Sequence, residues 1–152
     1  MTPVMTKSSF RINLEKHDTK DVNDQHVNGS LIVVWRDWDN VIKNPPKMVY
    51  VSSVNPNEIK GPHIHTKRDS YFVCIEGKVV FIINNGKEYV EITSSPEDPV
   101  MVHVPKNIPS AHINISNSPS RVLAVANIAW RTNDNEMINT TFDDYDWNKW
   151  NK

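Results

Sequence analysis

A single cysteine, Cys74, occurs in the 152 residues, so no internal disulfide can form. It lies in the apolar run Tyr71-Phe72-Val73-Cys74-Ile75, where it reads as a small packed hydrophobe. No stretch approaches the roughly 18 to 20 apolar residues that a membrane span requires. The opening MTPVMTKSSF also lacks the apolar centre of a secretory leader. These two absences give the expectation of a soluble, cytoplasmic protein with no membrane partner. Neither sign of charge dominates: 17 Lys and Arg stand against 18 Asp and Glu, a net charge of -1. With no block of like charge, nothing marks a surface for a nucleic-acid polymer. Apolar residues never recur at helical spacing over three turns, so helix is expected to be scarce, with at most a turn near residues 38–42.

What is present is a succession of short β-rich runs separated by Pro, Asn, Asp and Gly, the pattern of a sandwich or barrel. They fall at residues 31–35, 47–54, 63–66, 70–76, 79–84, 88–93, 100–104, 111–115 and 121–128. Asn84-Asn85-Gly86 marks the clearest hairpin, because Asn-Gly supplies the positive φ that a tight turn needs. The fold class is therefore all-β, in one domain spanning 1–152. Residues 1–30 form an arm, 31–130 the barrel, and 131–152 a tail. Within the arm FRINLEKH can form a strand, residues 16–29 read as polar loop, and the whole is a candidate to pair with a second subunit in a homodimer. The tail carries Phe142, Tyr145, Trp147 and Trp150, an aromatic load that a disordered tail lacks, so it is expected to pack onto the barrel.

Glycine is scarce, with four in the chain, and three of them, Gly61, Gly77 and Gly86, bracket one region. Between the first two runs GPHIHTKRDSYFVCIEG. On an extended strand His63, His65 and Lys67 share one face, so two imidazoles and an ammonium converge on a common space. Clustered titratable groups of this kind mark a candidate site. His103 alternates with valines and can face a pocket or solvent, while His17 and His26 read as solvated.

The segment GPHIHTKRDSYFVCIEG resembles the first motif of cupins (double-stranded β-helix, jelly-roll barrels), and VPKNIPSAHIN at 104–114 resembles the second. The likeness covers residues 48–130. With no Glu four or five places after His65, and with the GPHxH opening and DDYDW at 143–147, it is nearest the dTDP-4-dehydrorhamnose 3,5-epimerase group. That resemblance implies metal-free action, with no cofactor, on a dTDP- or UDP-linked 4-keto-6-deoxy sugar. The ketone acidifies the neighbouring C–H bonds, and a near-neutral imidazole can take such a proton. Aligned with the epimerases, His63 is the base. His65, Lys67 and Arg68 would supply positive charge to the enolate or the diphosphate, and Trp130 a stacking surface for a base or a sugar ring. The family's acid, a Tyr, would fall at 121–127, where none is found; Tyr71 or Tyr50 is the substitute.

Sugar 3,4-ketoisomerases are similar over the same stretch, with an Arg-Gly turn before His-Ala-His. Here Lys60-Gly61-Pro62-His63-Ile64-His65 keeps both histidines and puts Lys for Arg, and that reaction demands no distant Tyr. A metal cupin is the third reading: His63, His65 and His112, with Asp69 near the place of the usual Glu, form a possible ligand set for Fe, Mn, Ni or Zn. Against it stand the short Asp69 and Asn107, where such cupins have Gly. A barrel that binds a small sugar without catalysis is the fourth. Asp143, Asp144 or Asp146 could orient a histidine from the tail. Epimerase is taken first, ketoisomerase second.

Overall fold

The structure, a computed structural model, describes residues 5–151; four residues of the expected arm and the last of the tail lie outside the described residues. A single helical turn, α1 (Lys7–Phe10), drives Phe10 into the core, where it is fully buried. Strand β1 (Arg11–Asn13) follows and pairs antiparallel with residues 100–102. The chain then forms β2 (Glu15–Lys20) and β3 (Val27–Val33), an antiparallel hairpin that among the described residues pairs only with itself. The polar segment expected as a loop is thus half strand. Its polarity reflects a ribbon with no core beneath it: every residue of β2 but Thr19 is exposed. Residues 37–39 make only a turn.

Eight strands build the barrel: β4 (Met48–Val54), β5 (Ile59–His65), β6 (Ser70–Glu76), β7 (Val79–Asn84), β8 (Tyr89–Ser94), β9 (Val100–Val104), β10 (Ser110–Asn114) and β11 (Ser120–Ala126). They sort into two five-stranded sheets, β1-β9-β6-β11-β4 and, with β12 (Met137–Asn139), β12-β5-β10-β7-β8. All pairings are antiparallel. From β4 to β12 the chain crosses between the sheets at nearly every step, the jelly-roll winding of a cupin. Gly86, at φ +91°, turns β7 into β8.

Between the sheets lies an apolar core of Val54, Cys74, Val79, Phe81, Ile83, Ile92, Val100, Val102 and Val122 that closes one end of the barrel. Cys74 is fully buried there, and burial pushes its thiol up to about 11, which keeps it an inert packing group. The outer face of β7 is covered by the tail. Phe142 is buried against Val80, Ile82, Ala111 and Ile113, with Tyr145, Trp147 and Trp150 around it. The tail carboxylates meet no histidine: Asp144 accepts from the Tyr89 hydroxyl, Asp143 from Thr141, and Asp146 caps a 3-10 turn at Trp147–Trp150. Among the described residues no helix is long and apolar enough to cross a membrane.

Candidate active site

The open end of the barrel holds a cavity lined by His63, His65, Lys60, Tyr50, Ser52 and His112, with Phe72, Phe81, Val104, Ser110, Ala111 and Val122 completing the wall. Lys60 and His63 are an odd number of residues apart, so a regular strand would send them to opposite faces. A bulge prevents this: β10 steps from Ser110 to His112 while its partner β5 steps from His63 to Lys60. Gly61 sits in the bulge at φ +91°, and a Cβ there would lie 2.9 Å from the Ser110 carbonyl oxygen. Glycine is therefore dictated twice, by backbone conformation and by the closeness of β10.

His63 and His65 stand side by side with ring centroids 5.4 Å apart and planes inclined at 74°. Burial holds His63 below the usual imidazole range, with the charges of His65 and Arg68 adding to the effect and Glu136 opposing it. The His65 Nδ1 hydrogen is accepted by Glu136 Oε1 at 2.6 Å. Glu136 is 2% exposed, and Arg68 Nη2 lies 3.3 Å from the same oxygen. Lys60 Nζ donates to Ser52 Oγ at 2.7 Å. Tyr50 reaches the cavity from β4, and burial raises its hydroxyl above the ordinary phenol value while Arg68 works against that rise. His112 lies at the wall against the Phe81 ring, 5.1 Å centroid to centroid. Burial lowers it to about 4, with Lys60 and His63 contributing, so it is neutral at pH 7.

Two expected site residues are elsewhere. Lys67 does not join the histidines: β5 ends at His65, the chain bends at 66–67, and the lysine points into solvent. Tyr71 is on the opposite face of β6, packed with Met101 and Val125 and stacked on His103 at 4.2 Å, beneath residues of the N-terminal segment and the 34–42 loop. Period-two alternation sends Phe72, not Tyr71, to the cavity. Of the two tyrosines, Tyr50 is the one at the site. His103 belongs to that outer face, while His17 and His26 are exposed beside Glu15 and Asp24.

The proposed four-ligand metal set is not assembled either. Asp69 does not line the cavity; its Oδ1 accepts from the Lys106 amide at 2.9 Å and faces His103. Among the described residues, the three-donor grouping close enough to hold an ion is Asp21, Asp24 and His26, exposed in the hairpin turn. Asn107 in place of the cupin glycine keeps the local geometry, because it adopts φ +67° and its amide donates to the His65 carbonyl at 2.7 Å.

Beside the cavity, Trp130, 62% exposed, forms a shallow groove with Met48, Tyr50 and Arg68. Arg68 is buried, so its guanidinium serves Glu136 on one side and the groove on the other. Sequence reasoning missed Glu136. It sits 71 positions beyond His65 in a polar stretch, RTNDNEMIN, and nothing local distinguishes it from a solvated acid. Met137-Ile138-Asn139, the strand that delivers it, is three residues long with no buried residue.

The chain matches the family described as FdtA, WxcM-like, C-terminal, over residues 12–146. No curated protein matches it. Among solved structures it is similar to a dTDP sugar isomerase from Desulfovibrio desulfuricans G20, with TM-score 0.76 and 15% identity over 90% of this chain and 88% of that one. It is also similar to a 3,4-ketoisomerase from Helicobacter canadensis, with TM-score 0.67 and 18% identity over 92% of each chain. A third likeness is to the dTDP-6-deoxy-D-glucose-3,5-epimerase RmlC from Legionella pneumophila, in complex with dTDP-4-keto-L-rhamnose. Its TM-score is 0.72, with 11% identity over 88% of this chain and 73% of that one. At such identities these likenesses establish the RmlC-like cupin fold.

Proposed function

This chain belongs to the FdtA family, WxcM-like, C-terminal, and from that premise we propose that it is a sugar-nucleotide 3,4-ketoisomerase acting on a dTDP- or UDP-linked 4-keto-6-deoxyhexose. The observation that carries the reading is the pair of imidazoles on β5, side by side at one cavity wall, with Tyr50 as the tyrosine at that cavity. Moving a ketone from C4 to C3 needs one proton carried between adjacent carbons and one between their oxygens. Two bases on one side of the sugar meet that need.

His63, uncharged at neutral pH, takes the proton from C3, and the electrons close into an enediolate whose O4 receives the proton that O3 gives up. Return of the proton to C4 leaves the ketone at C3 and no net change in atoms or charge. Tyr50, a phenol protonated at neutral pH and made still harder to ionise by burial, donates a hydrogen bond to the C4 oxygen. The cavity of about 90 Å³ is well below the roughly 300–1,000 Å³ of pockets that enclose a whole drug-sized ligand, so it receives the sugar end of the substrate. The nucleotide therefore lies outside, with its base or ribose on Trp130 and its diphosphate near Arg68, while Lys60 and His112 contact the sugar from the walls.

Epimerisation at C3 or C5, to which the motifs point first, is the second reading. It needs an acid across the ring from the base, and β11, SRVLAVA, carries no tyrosine. Tyr50 is the remaining acid for it. A homodimer fits the molecule: among the described residues β2–β3 pairs only with itself and leaves Val27 and Leu31 exposed, and β4 is an edge of its sheet. A nucleotide-linked substrate and an unpaired cysteine suit the cytoplasm. Incubation with dTDP-4-keto-6-deoxyglucose followed by 13C NMR tests the reading. A ketone at C3 supports it; a ketone kept at C4 with inverted C3 or C5 gives the epimerase.

A further inference from the structure

The two histidines are held differently. Among the described residues His63 has no hydrogen-bonded carboxylate, whereas His65 Nδ1 is bound by Glu136 at 2.6 Å, with side chains 12% and 2% exposed. Glu136 itself is clamped. Its carbonyl oxygen accepts from both the amide and the hydroxyl of Thr66, each at 2.8 Å, immediately after His65. Its amide donates to Asp134 Oδ1 at 3.3 Å, and just past it β12 pairs with β5, Met137 opposite His65 and Asn139 opposite His63. Thr140 closes the strap by donating to the Pro62 carbonyl at 3.1 Å. Residues 134–140 are thus fastened to the strand that carries both histidines.

The carboxylate is costly where it stands. Its Oε2 is buried with no partner among the described residues, as is Arg68 Nε, and Arg68 Nη2 supplies a counter-charge at 3.3 Å. A residue needed only to hold the strap would not require a charge, because the clamping bonds are made by its backbone. We propose that Glu136 is the positioning residue that assigns His65 to the oxygen atoms of the substrate. With Nδ1–H committed to Glu136, the lone pair of His65 sits on Nε2. That nitrogen accepts the O3 hydroxyl proton and delivers it to O4, while Glu136 balances the imidazolium formed in between. His63 carries the other proton, from C3 to C4. The two transfers together convert C3–OH and C4=O into C3=O and C4–OH with nothing gained or lost. This division rests on the ketoisomerase reading.

The test uses the full-length protein and two readouts. In 15N-labelled wild type, His65 shows a protonated, pyrrole-like Nδ1 and a pyridine-like Nε2; the reverse tautomer overturns the proposal whatever the protein's activity. In Glu136→Gln, ketone migration on dTDP-4-keto-6-deoxyglucose falls about 100-fold with KM within about threefold, as expected for loss of a ring-orienting carboxylate. Exchange of the C3 hydrogen with heavy water falls much less, because His63 is intact. Equal loss of exchange and migration, or wild-type migration, overturns it. Should wild type move no ketone at all, the ketoisomerase reading fails, and the tautomer still decides the role of Glu136.

Discussion

Glu136 and His65, 71 residues apart in sequence, meet at 2.6 Å because β12 adds to the free edge of β5 directly beside the histidine pair. The site is thereby assembled from distant parts of the sequence: two histidines on β5, a carboxylate bound to His65 just before the last strand, and a tyrosine on β4.

The two bases are separable by mutation. His63→Ala and His65→Ala are each expected to lower turnover by 100-fold or more, on the order of what a general base contributes. Binding of the nucleotide sugar, measured by calorimetry, should change less than about tenfold, since Trp130 and Arg68 lie outside the pair. Loss of binding in step with turnover would mean that the histidines hold substrate and do not move protons.

The tyrosines are expected to divide in the same way. Tyr50→Phe removes the hydroxyl at the cavity and should cost about 10- to 100-fold in turnover, the scale of a single positioned donor. Tyr71→Phe, on the far face of β6, should leave turnover within about twofold and keep its packing against Met101 and Val125. Steady-state kinetics on the two variants checks this; the opposite ranking would put the acid on the wrong side of the sheet.

Much of this was legible in the sequence, and the exceptions have physical reasons. Strands β6, β7 and β9 match their apolar runs residue for residue, because each is largely buried and ends at a polar residue or at Gly or Pro. The His-x-His pair and the inward Lys60 were marked by motif, although the bulge that turns Lys60 inward was not predicted. Alternation puts Lys67 beside the histidines only on a continuing strand, and β5 ends two residues earlier, at His65. Tyr71 was misplaced because an aromatic in an apolar strand gives no sign of which face it takes. Strand β2 was hidden by its exposure, and Glu136 by its distance: a carboxylate that acts through tertiary packing leaves no local pattern.

Acid should weaken the fold through His112. Its value in the folded protein, about 4, lies below the unfolded imidazole value of 6.5, so the folded state binds fewer protons and stability falls as pH drops from 6.5 towards 4. The loss from this residue is on the order of 2 kcal/mol by pH 5. Urea denaturation at pH 7.5 and pH 5 should show it, and His112→Leu should show a correspondingly smaller difference between the two. An unchanged difference would mean that His112 is protonated in the folded state.

The tail is expected to be structural. Phe142 is 4% exposed against Val80 and Ile82, and Phe142→Ala should destabilise the protein by about 3 kcal/mol, the usual cost of emptying a buried aromatic site. Chemical denaturation measures this directly. A cost below about 1 kcal/mol would show that the aromatic tail is not anchored on the barrel.

The most direct test follows the hydrogens at C3 and C5. With a dTDP-linked 4-keto-6-deoxyhexose deuterated at both carbons, the wild-type protein should remove the label from C3 as the ketone moves to that carbon, carrying it to C4 or losing it to water from His63, and should leave the C5 label untouched. Release of the C5 label with the ketone still at C4 would contradict it.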